Sequence, residues 1–166
     1  MFDRYAEERL FKDILVPFNG SPQSWDAVRQ ALVVAARDQS QMHGLHIADK
    51  ETFSPAIEVM QGQFDELCEA AGVQHGFLVE RGEIAQKIYE RALLADLVSA
   101  HPPMEGLPSL GSGLRKIIWR CARPLLTICG EPSPLNRAML AFDGNPKAKE
   151  ALFVSTSIWL SNGWQP

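Results

Sequence analysis

The chain has 166 residues, 46% of them hydrophobic and 22% charged, with a net charge of −4. That length suits one well-buried domain and argues against two complete ones, while the weakly acidic balance gives no footprint for nucleic acid or an anionic membrane surface. No apolar run approaches the roughly 20 residues that cross a bilayer, Met1 to Leu10 resembles neither a signal nor a transit peptide, and three cysteines at unrelated spacings fit a reducing interior. The expectation is a cytoplasmic protein with no nucleic-acid or membrane partner.

In chain order, Phe2 to Phe11 mixes charges with Phe2, Tyr5, Leu10 and Phe11, the pattern of a short amphipathic lead-in helix. Ile14-Leu15-Val16 is a continuous β-prone run, which suits a strand covered on both faces. Asn19-Gly20 then supplies a sharp turn, Ser21 an N-cap and Pro22 the first position of a helix running to Arg37. Within that helix Trp25, Val28, Leu32 and Ala35 recur at helical spacing and should face the sheet. Met42 to Ala48 reads as a second strand. After a loop around Thr52 to Pro55, the stripe Ile57, Met60, Phe64, Leu67 and Ala71 marks a second helix ending at Gly72.

Gln74 to Val79 is the third strand, closed by Arg81-Gly82. Glu83 to Leu94 is helical, with Ile84, Ile88 and Ala92 on one face. Asp96 to Ala100 gives a short fourth strand. The loop from His101 to Leu110 holds three prolines and a glycine, which excludes regular structure. Gly113 to Ala122 is a helix, and Pro124 to Cys129 a fifth strand. Strands alternating with helices predict a parallel α/β sheet with right-handed crossovers.

A further feature follows. Arg137 to Leu160 reads as a second copy of Asp13 to Ala36: Phe18, Gly20, Pro22 and Ala27 align without gaps on Phe142, Gly144, Pro146 and Ala151, Asn19 meets Asp143, and Asp26 meets Glu150. The separation is about one domain length, the mark of a tandem arrangement rather than of a short solenoid period. The expected organisation is a domain over residues 1–130 with its short N-terminal helix, a linker at 131–135, and a partial second repeat, strand plus helix, over 136–166. Since a lone strand-helix unit cannot bury its apolar face, Phe153, Ile158, Trp159 and Trp164 should pack on the first copy or on another subunit.

The residues that carry chemistry are few. Ser112 suits a helix cap and, secondarily, a phosphate contact. Arg115 and Lys116 read as a solvated helix face. His43 and His46, three apart on a strand, point to opposite faces and do not form a chelating pair. His101, opening the loop after the fourth strand, reads as a loop histidine, since no partner base or nucleophile is identifiable. Cys68, Cys121 and Cys129 read as packing residues. No carboxylate pair, Ser-His-Asp arrangement or metal-ligand cluster stands out, so the sequence argues against catalysis and against a metal site.

Taken together, Lys12-Asp-Ile-Leu-Val-Pro-Phe-Asn-Gly-Ser, Gly44-Leu-His-Ile, Gly82-Glu-Ile-Ala-Gln-Lys-Ile, Ala95-Asp-Leu-Val, and Gly111-Ser followed by Arg123-Pro-Leu-Leu-Thr-Ile resemble the universal stress protein family from Phe11 to Cys129. The resemblance implies an open five-stranded parallel sheet of order 3-2-1-4-5 with helices on both faces, Rossmann-like and adenine nucleotide alpha hydrolase-like. It also implies a role in stress response, homodimerisation, and binding of ATP or AMP by a loop Gly-x-x-Gly, nine residues, then Gly-Ser or Gly-Thr. Such a loop cradles phosphates with backbone N–H groups.

On that template Pro17, Asn19 and Ile47 fall near the base, and His101, Gly111, Ser112 and Gly113 near the phosphates. This chain departs from the pattern in two places. His101-Pro102-Pro103-Met104 stands where Gly-x-x-Gly is expected, removing two backbone donors, and Asn19 replaces the usual acid. Two further readings stand beside nucleotide binding: an interaction and dimerisation scaffold that takes no nucleotide, and a nucleotide phosphohydrolase.

Overall fold

A computed structural model describes residues 10–48, 55–101, 121, 123–137 and 139–160. The lead-in helix expected before Leu10, the proline loop from Pro102, Gly111, Ser112 and Gly113, the helix expected to follow them with Arg115 and Lys116, and Trp164 all lie outside these residues. Described in chain order are β1 (Asp13–Pro17), α1 (Pro22–Asp38), β2 (Gln41–Ala48), α2 (Pro55–Ala70), β3 (His75–Arg81), α3 (Ile84–Ala92), β4 (Leu97–Ala100), β5 (Leu125–Thr127) and α4 (Pro146–Leu160). The strands form one parallel sheet of order β3-β2-β1-β4-β5, the order implied by the resemblance.

β1 is central because its side chains serve both faces. Ile14 and Val16 enter the core under α1 and α2, while Leu15 enters a second core under α3. All three are buried, as their uninterrupted apolar run requires. α1 seals the first core with Ala27, Val28, Ala31, Val34 and Ala35, a stripe wider than Trp25, Val28, Leu32 and Ala35 alone, since Trp25 and Leu32 are only partly buried. α2 contributes Ile57, Met60, Phe64 and Cys68. Ala71 lies beyond the helix end and is exposed, so Cys68 takes the place in the stripe that its spacing had suggested for Ala71.

α3 is one turn shorter than its pattern, ending at Ala92. Ile88 and Ala92 are buried, but Ile84 is 56% exposed because it occupies the first turn, beyond the sheet. Cys121 packs partly against the second core, whereas Cys129 falls past the end of β5 and is exposed. No described helix is long and apolar enough to cross a membrane.

An aromatic cluster fixes the C-terminal end of the sheet on the α1 and α2 side. The Phe18 ring lies 5.0 Å from Trp25, 5.5 Å from Phe64 and 5.7 Å from Phe77, centroid to centroid. Gly44 makes room for it, since a Cβ there would stand 3.0 Å from both the Phe18 and Phe64 rings. The residue before Asn19 is thus firmly anchored.

After β5 the chain returns to the body. The buried Gln30 amide on α1 clasps the linker twice, donating to the Ser133 carbonyl at 3.0 Å and accepting from the Ser133 N–H at 2.6 Å. Leu135 and Val154 pack against the first core. The expected strand after the linker does not form: residues 139–143 carry no ladder, Met139 is 98% exposed and Phe142 54%. A strand exists by pairing, and no described strand pairs with this segment. Phe153 is 63% exposed; the side chains of Ile158 and Trp159 lie outside the described residues.

Candidate functional site

The sheet order places its topological switch point at β1, from which the chain winds outward through β2 and β3 on one side and β4 and β5 on the other. Ligands of open α/β sheets bind beyond the carboxyl ends of the strands at such a point. Here those ends are staggered. β1 stops at Pro17, opposite Leu45, while β2 continues to Ala48 and remains paired to β3 through Arg81.

Pro17 helps to end β1. Main-chain groups of a parallel strand alternate between its two neighbours, and Asp13 gives its carbonyl to Asp96 N–H on the β4 side at 2.8 Å. Pro17 shares that side and has no N–H, so the β1–β4 register stops at Leu15 with Val98. On the other side the last bond is Phe18 N–H to the Leu45 carbonyl, 3.0 Å. Ile47, two residues beyond Leu45, therefore directs its N–H and carbonyl toward the space past the end of β1. The Phe18 carbonyl, which would have continued the ladder, instead accepts from His46 Nδ1 at 3.3 Å. Because a carbonyl can only accept, Nδ1 carries the hydrogen in this contact.

Asn19 closes the turn. Its Oδ1 accepts from Ser21 N–H at 3.0 Å, and its own N–H donates to Ser24 Oγ at 3.4 Å. Ser21 Oγ in turn caps α1 by accepting from Ser24 N–H at 3.3 Å. Gly20 adopts φ +83°, a conformation that disfavours side chains, and a Cβ there would meet Met60 Cε at 3.0 Å. Pro17 is half-buried, Asn19 exposed, Ile47 half-buried against the second core, and His101 half-buried directly after β4. The four sit at the carboxyl end of the sheet, on or just beyond β1, β2 and β4. Gly111, Ser112 and Gly113 lie outside the described residues.

Sequence reasoning missed two contributors. In the sequence His46 stands out only beside His43, whereas its ring occupies the Phe18 carbonyl that would otherwise bond Ile47. The open peptide edge of Ile47 is a main-chain property, detectable only from strand lengths. His43 faces the opposite way, its Nε2 2.8 Å from Asp13 Oδ1.

The charged groups near β3 form a separate network. Arg91 pairs with Glu80, and Lys87 Nζ lies 3.4 Å from Glu80 and 2.7 Å from Glu90. Hydrogen bonding from Arg91 holds the Glu80 carboxyl below its ordinary range despite partial desolvation. Burial pushes the Cys68 thiol up to about 12, with Asp65 adding to the effect, so this cysteine is a packing residue and not a nucleophile.

The fold defines a class: a doubly wound parallel α/β domain with helices around a five-stranded sheet of order 3-2-1-4-5. Residues 10–76, from the approach to β1 through the start of β3, match the family model described as Universal stress protein family. No curated protein matches the sequence significantly.

Among solved structures, one described as a universal stress protein in complex with cAMP is similar at 20% identity and a TM-score of 0.61, covering 72% of this chain and 97% of that one. A universal stress protein family member from Burkholderia pseudomallei aligns at 17% identity and 0.55, covering 73% and 98%. A universal stress protein from Archaeoglobus fulgidus aligns at 14% identity and 0.66, covering 93% of this chain and 65% of the longer one. At these identities the structures establish the fold.

Proposed function

We propose that this chain is a universal-stress-protein-like module in stress response, one that binds a nucleotide at the mouth beyond β1 and acts as a homodimer. The observation that carries the reading is the stagger at the switch point: β1 ends at Pro17 while β2 runs on, leaving the Ile47 peptide edge beside the Asn19 turn. A peptide edge offers one donor and one acceptor, the pairing that the Watson–Crick edge of a purine needs. The solved relative in complex with cAMP supports a nucleotide as the ligand class.

In this reading Pro17, Asn19 and Ile47 meet the base, and His101, Gly111, Ser112 and Gly113 meet the phosphates of a ligand such as ATP or AMP. Thermal shift of the purified protein with ATP, AMP and their guanine counterparts tests it. Ligand at about 100 times its dissociation constant stabilises the fold by roughly 2.7 kcal/mol. No shift with any of them at millimolar concentration refutes nucleotide binding.

Residues 137–160 are, in the same proposal, the start of a second tandem copy. Their turn supports this in detail. Asp143 Oδ1 accepts from Asn145 N–H at 3.0 Å, Asn145 caps the helix by accepting from Ala148 N–H, and Gly144 has φ +81°. The exposed Met139, Phe142 and Phe153 favour a second reading, an interaction scaffold that takes no nucleotide, and the same titration separates the two.

A further inference from the structure

We propose that Pro132-Ser133-Pro134 is a latch, that the buried Gln30 carboxamide is its socket, and that this latch fastens the C-terminal segment to the domain. The inference is independent of nucleotide binding. Gln30 lies on α1 at 3% exposure, among the alanines and valines that seal the first core. A carboxamide buried there must satisfy both its ends. It does so on one residue, 103 positions away in the chain. Its Nε2 donates to the Ser133 carbonyl at 3.0 Å and its Oε1 accepts from the Ser133 N–H at 2.6 Å.

The N–H and carbonyl of one residue face the same way in extended backbone, as on a rung of a β ladder. The sequence prepares that conformation, because Pro134 biases the residue before it toward extended angles. Pro132 and Pro134 carry no N–H, so within the triplet Ser133 alone offers a donor beside its carbonyl. A segment held in its bound shape loses little entropy on docking. The socket reads main chain only, since the Ser133 hydroxyl is used elsewhere, accepting from Leu135 N–H at 3.2 Å.

A counterforce lies two residues on. Leu135 takes φ +55°, a costly conformation for leucine, while its side chain packs on the first core. The clasp pulls the latch closed and the strained backbone favours its release. Opening would free Leu135 and Val154, through which this segment packs on the first core, and uncover that side of the core.

Hydrogen exchange of the full chain, read amide by amide, tests the latch with two variants. Gln30→Met keeps the length of the side chain and removes both polar ends. It should speed exchange at Ser133 and Leu135 by roughly tenfold or more, while β1 and β2 stay protected. Ser133→Ala leaves the clasped main chain in place, so only the Leu135 amide should speed and the N–H at position 133 should not. Unchanged exchange at Ser133 in Gln30→Met overturns the latch. An equal rise across β1 and β2 also overturns it, because Gln30 would then support the whole fold rather than one segment. Loss of protection at position 133 in Ser133→Ala overturns the main-chain reading.

Discussion

The turn at Asn19 to Trp25 and the turn at Asp143 to Lys149 are built alike and end differently. Each opens with an Asx oxygen accepting from the N–H two residues on, at 3.0 Å in both. Each passes through glycine at φ +83° or +81° and enters a proline-led helix capped by the residue before the proline. The first helical bonds match as well, Trp25 N–H to the Ser21 carbonyl and Lys149 N–H to the Asn145 carbonyl, both 3.1 Å. Yet the first turn follows a buried central strand, and the second follows a segment with Met139 98% exposed. Identical local chemistry gives a turn in either place. A strand forms only where neighbouring strands supply its bonds.

The sharpest way to break this comparison is to truncate matching positions. Leu15→Ala removes a fully buried side chain from the core under α3 and should cost about 2–5 kcal/mol, read from the urea midpoint. Met139→Ala, at the aligned position, should stay within about 0.5 kcal/mol. A comparable loss from Met139→Ala would mean that the second segment has a sheet of its own, supplied by another subunit.

A smaller effect separates the two glycines. Gly20→Ala meets both a left-handed backbone and Met60 Cε at 3.0 Å, whereas Gly144→Ala meets only the backbone, with no atom of the described residues within 4 Å of the added carbon. The backbone alone costs about 1–2 kcal/mol. Gly20→Ala should therefore lower the melting temperature more than Gly144→Ala, and an equal loss would show that the Met60 side chain moves aside freely.

The smallest effect is electrostatic. The Glu80 pKa is lower in the folded chain than in the unfolded one, so its contribution is present above the ordinary carboxylate pKa of about 4.3 and is lost as pH falls through the lower folded value. Glu80→Gln should flatten the acid limb of a stability profile in that window. The exposed Lys147–Glu150 pair on α4, 2.7 Å apart, is screened by solvent, so Glu150→Gln should leave the urea midpoint almost unchanged. A clear loss would mean that α4 is covered in solution.

Much of the fold follows from the sequence because it depends on short-range pattern. Uninterrupted Ile14-Leu15-Val16 announces a strand buried on both faces, and Asn19-Gly20-Ser21-Pro22 specifies turn, cap and helix start through groups at most five residues apart. Positions near element ends were harder. Ile84 and Ala71 fit their helical stripes but reach past the sheet, which no periodicity records.

The site divides in the same way. Asn19 could be named from its place after the first strand, and its amide orientation follows from a contact two residues away. The open Ile47 edge could not, since it exists only because β2 outlasts β1 and the His46 ring takes the Phe18 carbonyl. By itself the sequence determined the turn that opens the chain and its echo after the linker, because a turn closes on its own hydrogen bonds. Only the tertiary structure decided that one of the two carries a strand and an open peptide edge beside it, because a sheet's bonds, and the gaps left in them, belong to the neighbours as much as to the strand itself.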